Sequence, residues 1–226
     1  MRCLLAPRLR RGKTTYVTTI GLLAYGSLCW EPDAALEAAL RLDSAITGVR
    51  TPFPVEFART SSTRGGCPTL IPVTQGGAHV EAVLLPFRDG VSVAEAKTLI
   101  WRREARRSDG DYREPATVGP NTVVVKELAE RFPGFDVVLA VCIARNIDRL
   151  DGETLANLAI ESARKEAGRR CQDGISYLIM AKRHLIETQL SREYELVILR
   201  RLKVRSLEEA WQAARAAAIS YRGGQQ

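Results

Sequence analysis

The sequence offers one carboxylate on a helix whose spacing turns it inward. Ser92-Val93-Ala94-Glu95 has the pattern of a capping box, so a helix is expected to start there and run to about Glu104 or Arg107. Val93, Ala96 and Ile100 share a face of that helix, and Glu104 lies four residues beyond Ile100 and extends the stripe. The neighbouring Arg102, Arg103, Arg106 and Arg107 are expected to point mainly elsewhere. A carboxylate on an inward stripe near the negative end of a helix is disfavoured in its charged form, which suits general acid and base work near neutral pH. The competing reading is a salt bridge to a nearby arginine at a solvated helix end. Glu114 is the rival carboxylate.

A second group could hold a substrate. Tyr16 to Ala24 reads as a buried strand that runs into Tyr25-Gly26-Ser27-Leu28. A strand delivering Gly-Ser into a tight turn presents main-chain N–H groups, which can hold a carboxylate or carbonyl oxygen. Gly26 lets a ligand approach the main chain, and the Ser27 hydroxyl adds a polar contact. Tyr25 is a pocket wall or a core residue. Arg59 and Arg64 flank Ser61-Ser62-Thr63 and suit a substrate carboxylate or simply a polar loop rim.

Leu23 to Trp30, containing Tyr25-Gly26-Ser27-Leu28, resembles the YGS signature of the γ-glutamyl cyclotransferase-like superfamily, and Leu28 and Trp30 are similar to its ChaC branch. Arg103-Glu104 followed by Tyr112 resembles that fold's catalytic carboxylate and trailing tyrosine. The stretch Phe57 to Leu70 is similar to a bacterial subgroup of the fold. The resemblance spans roughly residues 17–145. It implies cyclisation of a γ-glutamyl group to 5-oxoproline with release of an amine or amino acid. Glu104 would be the general acid/base, with Tyr25, Gly26, Ser27, Leu28 and Tyr112 holding the substrate. It implies a small-molecule γ-glutamyl substrate and no cofactor. A non-catalytic member of the fold, binding a γ-glutamyl or amino-acid-like ligand or a protein partner, is the alternative.

The elements that must position these residues read as follows. A helix is expected after Asp33, strands at Phe53 to Arg59, Thr69 to Val73 and His79 to Phe87, and a loop at Ser61 to Pro68. Thr74-Gln75-Gly76-Gly77-Ala78 has the composition of a hairpin connection between the second and third of those strands. Thr122 to Val125 and Phe135 to Ile147 complete the β-rich part. From about Asp151 the apolar period becomes helical, and Ser206-Leu207-Glu208-Glu209 opens a further helix. Strands first and helices after predict an α+β fold: a small mixed, β-barrel-like core with flanking helices over residues 14–150, and a helical C-terminal extension over 151–226 packed on it.

Composition narrows the function classes. The 226 residues carry a formal net charge of +7. Arg2, Arg8, Arg10, Arg11 and Lys13 lie in a 13-residue stretch without an acid, leaving 28 basic and 26 acidic side chains in the rest. The stretch 1–13 is expected to be a disordered basic tail, and a nearly neutral body argues against nucleic-acid binding. No segment has the roughly 20 apolar residues of a membrane span, and Cys3 to Pro7 is shorter than a signal peptide's apolar region. Five cysteines with no CxxC pair, and two distant histidines, His79 and His184, argue against a disulfide framework or a metal site and for a cytoplasmic protein. No phosphate-loop or dinucleotide fingerprint is present. The sequence does not set the oligomeric state.

Overall fold

The structure, a computed structural model, describes residues 18–223, with side chains through Ala216. The basic stretch 1–13, Cys3 and the first residues of the strand expected from Tyr16 lie outside the described residues.

The fold is α+β. Strand β1 (Ile20–Ala24) is the centre of a five-stranded mixed sheet that also holds β2 (Ile46–Arg50), β5 (Glu81–Pro86), β6 (Val123–Glu127) and β7 (Val137–Ile143), in the order β2-β5-β1-β7-β6. β1 runs antiparallel to β5 and parallel to β7, with Leu22 opposite Leu85 on one side and Leu139 on the other. Every residue of β1 is buried, which explains an apolar run without alternation. Its two faces feed two cores. Ile20, Leu22 and Ala24 pack with Leu36 and Leu40 around α1 (Ala34–Ala39), and with Ala96 and Ile100 of α2 (Val93–Ala105). Leu23 and the following Tyr25 face the opposite core, built from the second sheet and the C-terminal helices.

The second sheet corrects the barrel-like expectation. β3 (Val55–Ser61) and β4 (Cys67–Pro72) pair with each other, antiparallel, and the β-structure is two open sheets rather than a closed barrel. The hairpin expected at Thr74 to Ala78 is also corrected: β4 does not pair with β5. The chain instead crosses from one sheet to the other, and Ala78 bridges back to Val55 on the way. Gly76 and Gly77 have the positive φ of a chain reversal, but turn chemistry does not choose a strand's partner. The tight connection lies where a loop was expected: the 3₁₀ turn Ser62–Arg64, with Gly65 at φ 69° and Gly66 at φ 86°, joins β3 directly to β4.

Five helices follow: α3 (Gly152–Ala163), α4 (Glu166–Arg169), α5 (Gly174–Arg183), α6 (Gln189–Leu202) and α7 (Leu207–Gly223). Among the described residues no helix is long and apolar enough to cross a membrane. The helices share one core with Phe57, Leu70, Leu84 and Val138 of the strands. Polar contacts tie them in as well. Thr188, the N-cap of α6, donates to the buried Glu56 of β3 at 2.6 Å. Asp173, wholly buried, caps α5 by accepting from the Ile175 and Ser176 amides at 2.8 and 3.0 Å, and its other oxygen accepts from Trp211 Nε1 of α7 at 2.9 Å.

Asp173 therefore fixes both the start of α5 and its angle to α7. Asp173→Ala removes the cap and leaves a tryptophan N–H without its acceptor. We expect a loss of about 2–4 kcal/mol in urea unfolding, and a smaller loss for Asp173→Asn, which keeps an acceptor oxygen. A loss for Asp173→Ala under about 1 kcal/mol would show that this contact does not hold α5.

Candidate functional site

The turn and the helix carboxylate meet. β1 ends at Ala24, Tyr25 remains extended, and Gly26–Leu28 forms one 3₁₀ turn. α2 starts at its Ser92 cap, which accepts from the Glu95 amide, and stops where Arg106 enters the left-handed region at φ 55°. Ala96, Ile100 and Arg103, at i, i+4 and i+7, are its buried face, so the inward stripe ends on an arginine and Glu104 lies beside it.

Arg103 is 6% exposed, and the expectation that it points elsewhere is corrected. Its guanidinium donates to Ser27 O at 3.0 Å, to Ser27 Oγ at 3.2 Å and to Glu31 O at 2.7 Å, and forms an ion pair with Glu104 through Nη1. One fork thus bridges the carboxylate and the turn. Glu104 combines features of both readings of the sequence. It pairs with an arginine, yet its side chain is only 15% exposed and lies against the turn rather than at a solvated helix end.

Two cavities open at this junction. A recess of about 40 Å³ and a cleft of about 860 Å³ are both lined by Ser27, Leu70, Ile71, Glu104, Ile143 and Tyr177, so the recess is the inner end of the cleft. Tyr25 and Leu28 line the recess. The Tyr25 hydroxyl is occupied, donating to Val141 O of β7 at 3.1 Å, and burial pushes its phenol well up. Tyr25 is thus both wall and core.

Gly26 lines neither cavity. Its φ is +56°, and a Cβ there would sit 2.6 Å from the Tyr177 hydroxyl. The glycine thus admits a tyrosine of α5 to the turn rather than a ligand to the main chain. Tyr112 is also outside the site. Its hydroxyl accepts from the Val125 amide at 3.1 Å and donates to Glu114 at 2.9 Å, and its own amide donates to Thr98 Oγ1. It braces α2 against β6, with Glu114 beside it. Arg59 and Arg64 do line the cleft, but both have partners. Arg59 donates to Ala144 O at 2.8 Å and Asn121 Oδ1 at 2.7 Å, whereas Arg64 pairs with Glu31.

Tyr177 is the residue that the sequence reading missed. It stands on α5, 3% exposed, with Arg64 over its ring at 5.4 Å and Trp30 edge-on at 5.4 Å. Its oxygen accepts from the Leu70 amide at 3.4 Å and lies near the Ser27 amide. Burial pushes the phenol up, opposed by the Arg64 charge and the two amides. It therefore holds its proton at neutral pH. No acceptor takes that proton among the described residues, which leaves it available to a ligand in the recess. The only sequence signal was an aromatic among Ile175, Leu178 and Ile179, within the helical apolar period that begins at about Asp151.

The site thus combines an oriented carboxylate, two hydroxyls and an arginine that orders them. Among the described residues no group of three His, Cys, Asp or Glu is arranged to hold a metal ion.

A substitution at the junction tests this geometry. Gly26→Ala must accept a left-handed conformation, at about 1–2 kcal/mol, and displace the Tyr177 hydroxyl. Each of Gly26→Ala and Tyr177→Phe is expected to destabilise. The double variant should lose about 1 kcal/mol less than the two singles together, because the clash disappears with the oxygen. Strict additivity in unfolding experiments would mean that the hydroxyl does not sit in the space that Gly26 leaves. In comparisons with known proteins, no protein-family model and no curated protein matches the chain.

Proposed function

We propose that the protein is a γ-glutamyl cyclotransferase-like enzyme that converts a γ-glutamyl amide or peptide into 5-oxoproline and a free amine. The observation carrying this reading is that Glu104 lines one recess with Tyr25, Ser27 and Leu28 of the turn, and that one guanidinium bridges Glu104 and Ser27.

The reaction asks little of a protein beyond holding and proton transfer. The α-amino nitrogen of the glutamyl group attacks its own γ-carbonyl carbon, closing a five-membered ring, and the bond from that carbon to the amide nitrogen breaks. Glu104, as the carboxylate, takes the proton from the attacking nitrogen and gives it to the departing one. Holding the glutamyl chain in its folded conformer supplies much of the rate, since nucleophile and electrophile belong to the same molecule. The Ser27 and Tyr177 hydroxyls are the donors for the carbonyl oxygen as it gains charge. Arg103 acts through Glu104 and Ser27 and is a positioning residue.

The ion pair between Arg103 and Glu104 favours a second reading, in which the same recess binds a γ-glutamyl or amino-acid-like ligand without turning it over.

The test is release of 5-oxoproline from glutathione, γ-glutamyl amino acids and γ-glutamyl amines, comparing the parent protein with Glu104→Gln. We expect turnover of at least one compound and a fall of about 10²–10⁴-fold in Glu104→Gln with folding intact. Equal turnover in Glu104→Gln would remove Glu104 from the chemistry. Saturable binding without product from the parent would establish the second reading.

A further inference from the structure

The outer cleft has a charge that the cyclisation does not require. Six arginines line it, Arg59, Arg64, Arg103, Arg106, Arg107 and Arg113, and Glu104 is the one acid among its lining residues. Three of the six are accounted for: Arg103 by Glu104 and the turn, Arg64 by Glu31, and Arg59 by carbonyl and amide oxygens. The other three are not. Among the described residues, the guanidinium groups of Arg106 and Arg113 have no hydrogen-bond or ion-pair partner, and that of Arg107 only stacks on Trp101 at 5.5 Å. Of the acids in the loop after α2, Asp111 is engaged by Arg102 and Glu114 by Tyr112, and the exposed Asp109 forms no ion pair with these arginines among the described residues. On an open surface, unpaired arginines are simply solvated. Here they line a concavity facing Ser61, Ser62 and Thr63, where like charges reinforce one another's field.

We propose that this cleft seats a multiply anionic group, and that the portion of the substrate leaving as the amine carries two or more negative charges, as carboxylates or phosphates. The second half of this statement rests on the γ-glutamyl reading of the recess; the first does not. Guanidinium forks match the oxygen geometry of both kinds of anion. A volume of about 860 Å³ suits a small molecule or short acidic peptide. Nucleic acid fits poorly, because of the cleft's two large aromatics Trp101 is covered by Arg107 and Tyr177 is buried under Arg64, which leaves no platform for a base.

The experiment has two arms, each run on the full chain and on the double variant Arg106→Gln/Arg113→Gln. Both residues are exposed, so the variant is expected to fold. In the first arm, calorimetry at low salt measures binding of triglutamate and of inorganic pyrophosphate. At least one is expected to bind the parent, about tenfold or more tighter than it binds the variant, and the tighter probe identifies the source of the anion. If neither binds, or the variant binds equally well, the proposal is overturned. The second arm compares KM for γ-glutamyl-diglutamate with that for γ-glutamyl-alanine amide, which has a neutral leaving portion. A KM about tenfold lower for the anionic compound, with the difference lost in the variant, is expected. Equal KM values would overturn the substrate claim while leaving cyclisation standing. Probe binding without cyclisation of any compound would support the anion seat and overturn the cyclotransferase reading and, with it, the substrate claim.

Discussion

A buried guanidinium has to satisfy its charge and its donors inside the protein or the fold loses several kcal/mol. Arg103 meets that demand with the carbonyls of Ser27 and Glu31, the Ser27 hydroxyl and the Glu104 carboxylate. Since those acceptors come from the turn after β1 and from α2 itself, the two elements cannot separate without stranding a charge. Arg103 thereby fixes where the turn lies, which way Glu104 faces, and the mouth of the recess between them. An arginine is needed for this, because a lysine's single ammonium could not span the carboxylate and the turn with one rigid fork.

The recess is completed from the far end of the chain. α5 brings Tyr177 into the space that Gly26 leaves open, and the tyrosine oxygen meets the amides of Ser27 and Leu70. α5 is itself held by Asp173, which joins it to α7 through Trp211. The C-terminal helices therefore do more than cover the second sheet, since they supply one wall of the recess and a hydroxyl that keeps its proton. This division of labour also explains the order in the site. β1 and α2 carry the turn and the carboxylate, β3–β4 and α5 close the opposite side, and the cleft opens outward over arginines whose positive charge is only partly neutralised.

Much of this was legible in the sequence where the signal was local. Ser92, read as a cap, accepts from the Glu95 amide; Asp33 and Asp151, where helices were expected to begin, cap theirs by accepting from the Leu36 and Thr154 amides; and β1 is as buried as its unbroken apolar run implied. Pairing was less legible, since Gly76-Gly77 marks a reversal without saying that the chain changes sheets. Three elements, β2, the single-turn α4 and α6, were not anticipated. β2 is largely exposed and contains a glycine, and α6 mixes charged residues into its apolar stripe. At the site, Glu104 and Ser27 came from pattern and resemblance. The burial of Arg103 did not, because an arginine in a charged run reads as solvated unless the acceptors from a distant turn are known. Tyr177 was hidden for the same reason: its partners are more than 100 residues away in sequence.

The central claim is that the recess between the turn and α2 holds a γ-glutamyl group, and the most direct measurement is a crystal structure with 5-oxoproline or a non-cyclisable γ-glutamyl analogue bound. The account requires the ligand in the recess, with its nitrogen within hydrogen-bond reach of Glu104 and its γ-carbonyl oxygen within reach of the Ser27 or Tyr177 hydroxyl. A ligand bound elsewhere, or an empty recess at saturating concentration, would contradict it.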